Sequence, residues 1–305
     1  MGRHHISKTG RGALCAVLGG AFGGLSGICS QALFAHWTVD PLWAACIRLL
    51  GSGAVLTLLS RPRHRRDLLA LVRRRGELLR LLCFGAGLML CQSAYLKAIS
   101  WTNAATATVL QNLSLVLVMV ASCAMARRLP RGRETVSLML AVLGAWLLAT
   151  GGRPGQLVLV PQGLAWGLAS AAAVALYMML SQDLLARWDR QTVIGPGMLL
   201  GGAVLFLLSR PRSPSLPPAG WAALGGVVLG TVLSFSLVIQ GIAEAGPVRA
   251  SMLAASEPVT AAVLAVLLMG DRFSGADLAG FACIITTILL LARPEGSTRK
   301  DDARC

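Results

Sequence analysis

The residues best suited to chemistry in this sequence are a few polar side chains set inside long apolar stretches. Glu257 is the only acid near the centre of such a stretch, and Pro258 follows it directly. An isolated charge at mid-bilayer costs at least about 2.5–3.5 kcal/mol, so an acid there needs a partner or a wet cavity. Proline removes a backbone donor and frees carbonyls that can face a cavity. Glu257 is therefore a candidate proton or cation site beside a helix break at Pro258, and the alternative is a structural acid.

Two basic residues also lie within apolar stretches. Arg48 could bind a substrate carboxylate through two parallel hydrogen bonds, or it could extend to the interface or pair with an acid. Lys97 lies near the end of its stretch, and its counterpart later in the chain is Gln240, so this position is polar twice. We treat Arg48, Lys97 and Gln240 as candidate substrate-binding residues. For the two basic side chains, extension to the membrane surface is the alternative.

Further amide and aromatic side chains could line a central cavity. For the amides, hydrogen bonding between helices is the alternative role. These candidate substrate-binding residues are Gln92, Gln111, Asn112, Tyr95, Trp166 and Tyr177, with Ser256 beside them.

The sequence predicts no catalytic residue, no metal site and no cofactor. The four histidines, His4, His5, His36 and His64, fall outside the apolar stretches, and no two cysteines form a C-x-x-C pair. Without such clusters neither a zinc site nor a Ser-His-Asp set can be assigned. A nucleotide-binding motif is also absent.

The elements that must position these residues are membrane-spanning helices. Apolar residues make up 55% of the chain and charged residues 13%, against about 45–50% and 25% in soluble domains. Near-continuous apolar runs of about 17–25 residues are typical of spanning helices. We predict an all-α membrane protein with ten spans, at 12–34, 41–60, 78–99, 103–125, 134–151, 161–182, 193–209, 219–243, 247–269 and 274–292.

The chain is an internal duplication. GAVLTLLSRPR (53–63) returns as GAVLFLLSRPR (202–212), and SQALFAHW (30–37) returns as SQDLLARW (181–188). Five spans per half is an odd number, so the second half must be inverted relative to the first, an architecture frequent in carriers. The predicted units are a tail at 1–11, a first five-helix repeat at 12–151, a second at 161–292, and a tail at 293–305.

The net charge of +15 has a membrane explanation. With the N-terminus inside, the inner loops and tails collect most of the arginines, as the positive-inside rule requires. We therefore expect both termini to be cytoplasmic, with the basic loops at anionic lipid headgroups. No RNA- or DNA-binding motif accompanies the charge, so nucleic acid is not an expected partner.

Two segments then show a specific resemblance. The segments are NAATATVLQN (103–112) and SEPVTAAVLAVLLMGDRFS (256–274). They resemble the drug/metabolite transporter superfamily in its ten-helix form with two EamA-type domains. The resemblance extends over about residues 12–292. The chain departs from that pattern in three places. Leu115 stands where proline is usual, Arg127-Arg128 where Gly-Glu is frequent, and Asp271 where glutamate is usual. The first two changes predict a straighter fourth span.

The resemblance implies a secondary transporter of small metabolites, amino acids or related compounds, by alternating access and in the direction of export. It also implies a multi-pass protein of the bacterial inner membrane. Proton coupling is the expected energy source, since one proton crossing about 150 mV supplies roughly 3.5 kcal/mol. Transport of drugs or nucleotide sugars is an alternative. A non-transporting membrane protein or an intramembrane enzyme is an alternative of another class. The sequence leaves open whether the protein forms a homodimer.

Overall fold

The computed structural model describes residues 8–60, 62–210 and 214–292, and every regular element in these ranges is helical. Tail residues 1–7 and 293–305 lie outside the described residues. The helices are α1 (Lys8–Trp37), α2 (Pro41–Leu58), α3 (Pro62–Val72), α4 (Arg75–Trp101), α5 (Ala104–Gln111), α6 (Ser114–Met125), α7 (Gly132–Thr150), α8 (Pro161–Leu180), α9 (Gln182–Arg187), α10 (Arg190–Ser209), α11 (Pro218–Ala245), α12 (Pro247–Ala254), α13 (Ser256–Leu264), a π-helical segment (Ala265–Met269) and α14 (Gly275–Ala292).

The described helices form ten segments that are long and apolar enough to cross a membrane. This confirms the predicted all-α membrane fold. Spans four and nine are each built from two successive helices, and α3 and α9 lie between spans. The helices alternate in direction, so the connections fall at two ends of the molecule. We call the end where α1 begins the basic face, since exposed Arg73, Arg74 and Arg75 lie there. The other end is the opposite face.

Helices from the two halves pack against each other in pairs. α1 packs with α11, α4 with α8, α2 with α10, and α7 with α14, so each pair takes one helix from each half. The pairs α1–α11 and α4–α8 are counterparts under an inverted duplication. At the basic face Arg11 of α1 pairs with Glu244 of α11 at 2.6 Å, and Arg187 of α9, the helix after α8, pairs with Glu77 of α4 at 3.0 Å. The halves therefore interlock.

The two copies of the duplicated segment, one in α2 and one in α10, pack against each other. A Cβ built on Gly53 of α2 would lie 2.8 Å from the backbone nitrogen of Leu199 in α10. A Cβ built on Gly202 would lie 3.0 Å from the backbone nitrogen of Leu50. Each leucine lies three residues before the glycine of its own copy, so the contact is reciprocal. Small residues at these positions let the two backbones approach closely.

The fourth span is interrupted, so the expectation of a straighter helix is wrong. α5 ends at Gln111 and α6 begins at Ser114, although no proline is present. The side-chain nitrogen of Asn112 donates to the carbonyl oxygen of Thr108 at 2.9 Å. Short polar side chains that bond nearby backbone groups compete with the regular helix in this way. Span nine breaks at the corresponding place, between α12 and α13, next to Pro258.

Candidate substrate and coupling site

Arg48 is a buried cation without a hydrogen-bond partner for two of its nitrogens. It lies two turns into α2, which begins after Asp40, whose carboxylate accepts from the backbone nitrogen of Leu42 at 2.6 Å. The side chain is only 7% exposed, and neither Nε nor Nη1 has a partner. Buried charges are normally paired, since desolvation costs several kcal/mol per ion. An unpaired guanidinium in the interior is suited to binding an anion.

Tyr95 supports the Arg48 guanidinium from one side. Its ring centroid lies 5.5 Å from Cζ of Arg48, within the range of a cation–π contact. The Tyr95 hydroxyl lies 2.7 Å from Oγ1 of Thr108, which itself donates to the carbonyl oxygen of Ala104. Tyr95 is therefore the donor to Thr108. The ring is fixed between α4 and α5, and it holds the guanidinium in place without neutralising it.

Glu257 lies in the first turn of α13, directly after the helix break and against α1. A Cβ built on Gly23 would lie 2.9 Å from Cδ of Glu257, so glycine makes the space that the carboxyl group occupies. The charges of Glu257 and Arg48 interact electrostatically. However, no ion pair or hydrogen bond joins them within the described ranges. A carboxyl and a guanidinium thus lie within electrostatic reach of each other, without neutralising each other directly.

A small polar cluster joins three helices beside these charges. The side-chain nitrogen of Gln111 donates to Oγ of Ser170 at 2.6 Å and lies 3.4 Å from Sγ of Cys91. The Ser170 hydroxyl in turn donates to the carbonyl oxygen of Cys91 at 3.4 Å. Gln92 is buried next in sequence to Cys91, with 6% of its side chain exposed. Of these two predicted residues, Gln111 therefore joins α5 to α4 and α8, and Gln92 is buried on α4.

Other predicted residues have packing or capping contacts. Nζ of Lys97 lies 4.4 Å from the ring centroid of Trp166, so these two candidates bind each other. Tyr177 packs edge-to-face on Phe84, with centroids 5.7 Å apart. Asn112 bonds the Thr108 carbonyl at the helix break, and Ser256 donates to the carbonyl oxygen of Val17 at 2.9 Å.

Gln240 lies apart from the Arg48 region. It is exposed near the basic end of α11 and donates to Oε1 of Glu244 at 3.1 Å. Glu244 is the acid that pairs with Arg11. This separation follows from the inverted repeat, because Lys97 and its counterpart Gln240 must lie at opposite ends of the molecule.

The basic face contains a wide cavity of about 1090 Å³, and Gln240 is on its wall. A second cavity of about 90 Å³ shares three of the lining residues and extends to Leu56 and Gly195 between α2 and α10. The shared residues are Gln191, Ser236 and Ile239. Both cavities lie near the basic face, and neither is lined by Arg48, Tyr95 or Glu257.

A residue that sequence reasoning missed joins three elements at the opposite face. Gln31 of α1 is 8% exposed, and its side-chain nitrogen donates to Oδ2 of Asp271 at 2.9 Å. Its side-chain oxygen accepts from the backbone nitrogen of Ala104 at 2.8 Å. The signal that could have identified it is the repeated Ser-Gln pair, Ser30-Gln31 and Ser181-Gln182.

Among the residues that the structure describes, no group of three His, Cys, Asp or Glu side chains could hold a metal ion.

Inverted helical repeats, paired across the two halves around buried polar residues, define a membrane transporter fold. Comparisons with known proteins agree with that class. The EamA-like transporter family matches residues 10–150 and 161–293, and the chain belongs to that family. It is 32% identical over 292 residues to the uncharacterized inner membrane transporter YicL of Salmonella typhimurium, across 94% of this chain and 97% of that one. A solved crystal structure, 18% identical, shares the fold with a TM-score of 0.61 over 92% of this chain and 95% of that one.

Proposed function

We propose that this chain is a proton-coupled secondary transporter of small carboxylate-bearing metabolites, amino acids or related compounds, which it exports by alternating access. The observation that carries the proposal is a pair of interior charges, the buried Arg48 and the half-buried Glu257, which interact without forming an ion pair. Arg48 is the proposed anchor for the substrate carboxylate, with Tyr95 behind it. Glu257 is the proposed coupling carboxyl.

Geometry and chemistry support the role of Arg48. A guanidinium presents a planar fork of donors that matches a carboxylate, and such charge-assisted pairs are about twice as strong as neutral ones. Two of the Arg48 nitrogens have no partner in the described structure. A substrate carboxylate on either edge of the guanidinium would satisfy one of these two nitrogens and would offset part of the cost of burying the cation.

Glu257 supports coupling because a carboxyl group in an apolar span favours its neutral form until water reaches it. Protonation at the extracellular side would let the emptied carrier reorient, and release would follow exposure to the cytoplasm. The carrier thus differs in charge at one position between its two states. A proton gradient can bias a two-state carrier through that difference.

We propose that the basic face is cytoplasmic and that the protein lies in the bacterial inner membrane with both termini inside. Exposed Arg73, Arg74 and Arg75 on that face support this orientation through the positive-inside rule. The similarity to YicL, an uncharacterized inner membrane transporter, supports the location. The cavity of about 1090 Å³ at the basic face supports loading from the cytoplasm, as export requires.

Transport by reconstituted vesicles with an imposed pH gradient tests the coupling proposal, using a panel of labelled carboxylate metabolites. Glu257→Gln mimics the protonated acid with nearly the same shape. It should abolish accumulation driven by the gradient, while exchange of substrate across the membrane continues. The readout is the ratio of gradient-driven accumulation to exchange, measured on the same vesicles.

Glu134→Gln is the matched control, since it makes the same chemical change in the first turn of α7, where the acid pairs with Arg128. It should leave that ratio at the parent value. Concentrative uptake by Glu257→Gln at the parent level would make Glu257 a structural acid. Failure of the parent itself to transport any substrate of the panel would overturn the substrate class.

A further inference from the structure

Gln31 joins three elements that are distant in the sequence. It lies on α1, accepts from the first residue of α5, and donates to a carboxylate between the π-helical segment and α14. α1 packs on α11 and α13, and α5 packs on α8, the partner of α4; α5 also contacts α13 and α1, so the helices meet there. The bond from Ala104 to Gln31 therefore crosses between two groups of helices, the α1 group (α1, α11, α13) and the α4 group (α4, α5, α8).

The same position in the second repeat has no such contacts. Gln182 is the counterpart of Gln31, because SQDLLARW repeats SQALFAHW. α1 continues unbroken through Gln31, but the second copy is interrupted at Ser181, directly before Gln182. Gln182 is exposed, and within residues 8–60, 62–210 and 214–292 its side chain makes no hydrogen bond.

Both partners of Gln31 have been replaced in the other repeat. Ala104 opens α5, and its counterpart Pro247 opens α12. Proline has no backbone N–H, so it cannot donate as Ala104 does. Asp271 follows Gly270, which has a φ of 71°, and Arg128 follows Arg127, which has a φ of 49°. The counterpart of the Asp271 carboxylate is thus a guanidinium, and that guanidinium binds Glu134 at 2.7 Å.

We propose that Gln31 is a one-sided latch: it holds the opposite face closed, and at the basic face its counterpart Gln182 forms no equivalent bond among the residues that the structure describes. The empty carrier therefore rests with its site open towards the basic face. This inference rests on the proposed function in one respect, that the two groups of helices alternate between closed faces. It assigns gating roles to Gln31 and Asp271, which touch neither Arg48 nor Glu257 through any described hydrogen bond.

The accessibility of Cys91 tests the latch. This thiol is buried in the interior, where Sγ lies 3.4 Å from the side-chain nitrogen of Gln111. The reporter is the full-length protein with its other cysteines replaced. A membrane-impermeant anionic methanethiosulfonate is added to right-side-out or inverted vesicles, without substrate or gradient. The modification rate from each side then reports which face is open.

Gln31→Leu should speed modification from the side of the opposite face by about tenfold or more, which is the shift that loss of one hydrogen bond to a charged group produces. Modification from the basic side should slow. The matched control, Gln182→Leu, makes the same change in the other repeat and should keep the parent rates. Asp271→Ala breaks the latch from a loop without altering packed α1, and it should act in the same direction as Gln31→Leu.

The latch would be overturned if Gln31→Leu and Asp271→Ala both kept the modification rates of the parent protein. It would also be overturned if Gln182→Leu changed those rates as much as Gln31→Leu does. These rates need no transported substrate. A negative result would therefore leave the proton-coupling proposal standing, and loss of coupling in Glu257→Gln would leave the latch standing.

Discussion

Cζ of Arg48 lies 5.5 Å from the centre of the Tyr95 ring, and this contact replaces the ion pair that a buried guanidinium normally has. A desolvated cation–π contact contributes about 2 kcal/mol. The effective cost of burying the ion is several kcal/mol. The ring therefore offsets only part of the cost, and the site stays incomplete until an anion arrives.

Arg48 should discriminate between a fork of donors and a point charge. Arg48→Gln removes the cation, and we expect the apparent substrate affinity to fall at least tenfold, because a charge-assisted bond contributes about 1.5–3 kcal/mol. Arg48→Lys keeps the charge but loses the bidentate geometry, so its loss should be intermediate. Concentration-dependent uptake at matched expression is the measurement.

Arg153→Gln is the control for that series, since Arg153 is exposed on the opposite face. It should transport with parent affinity. Parent affinity in Arg48→Gln would instead reduce Arg48 to a structural residue.

Tyr95 should act through its ring rather than through its hydroxyl. Tyr95→Phe keeps the face under Arg48 and loses only the bond to Thr108, so we expect a stability loss of about 1 kcal/mol and near-parent substrate affinity. Tyr95→Leu removes the ring and should weaken substrate binding as Arg48→Gln does. Thermal unfolding in detergent and uptake kinetics, taken together, separate the two effects. A loss of affinity in Tyr95→Phe as large as that in Tyr95→Leu would mean that the hydroxyl touches the substrate.

The sequence was sufficient for the fold, because long apolar runs and the repeat of Gly53 at Gly202 leave few alternatives in a bilayer. It was less informative about the site. Lys97 and Trp166 were separate candidates because sequence spacing cannot reveal a contact between two helices. Asn112 breaks the fourth span without proline, since a side-chain bond to a backbone carbonyl leaves no pattern in hydropathy. Gln31 was missed because the repeat of its Ser-Gln pair at Ser181-Gln182 does not reveal which copy makes contacts between helices.

Cysteine labelling from each side checks the orientation. In a background without native cysteines, Arg272→Cys should react with an impermeant thiol reagent from outside the cell, and Arg74→Cys should react only after the membrane is opened. Both positions are exposed, at the opposite and basic faces respectively. Labelling of position 74 from outside would reverse the proposed topology.

Gly53 should be intolerant of a methyl group. Gly53→Ala places a Cβ 2.8 Å from a backbone nitrogen of α10, and such overpacking costs about 1–3 kcal/mol. Gly202→Ala should act in the same direction. Gly76→Ala is the control, because nothing lies within 4 Å of its Cβ and alanine favours a helix. Melting temperatures in detergent measure all three, and a Gly53 variant as stable as the parent would contradict the packing.

The reciprocal contact between Gly53 and Gly202 has the geometry of an isologous interface. In such an interface one surface meets a second copy of itself across a two-fold axis, as in a symmetric dimer. A lone five-helix unit bearing this stretch would already possess the self-complementary surface needed to bind an upside-down twin. Joining two such units end to end would need no new contact at that surface, only a linker. It would also free every other position to specialise, as the unlike neighbours of Gln31 and Gln182 have done.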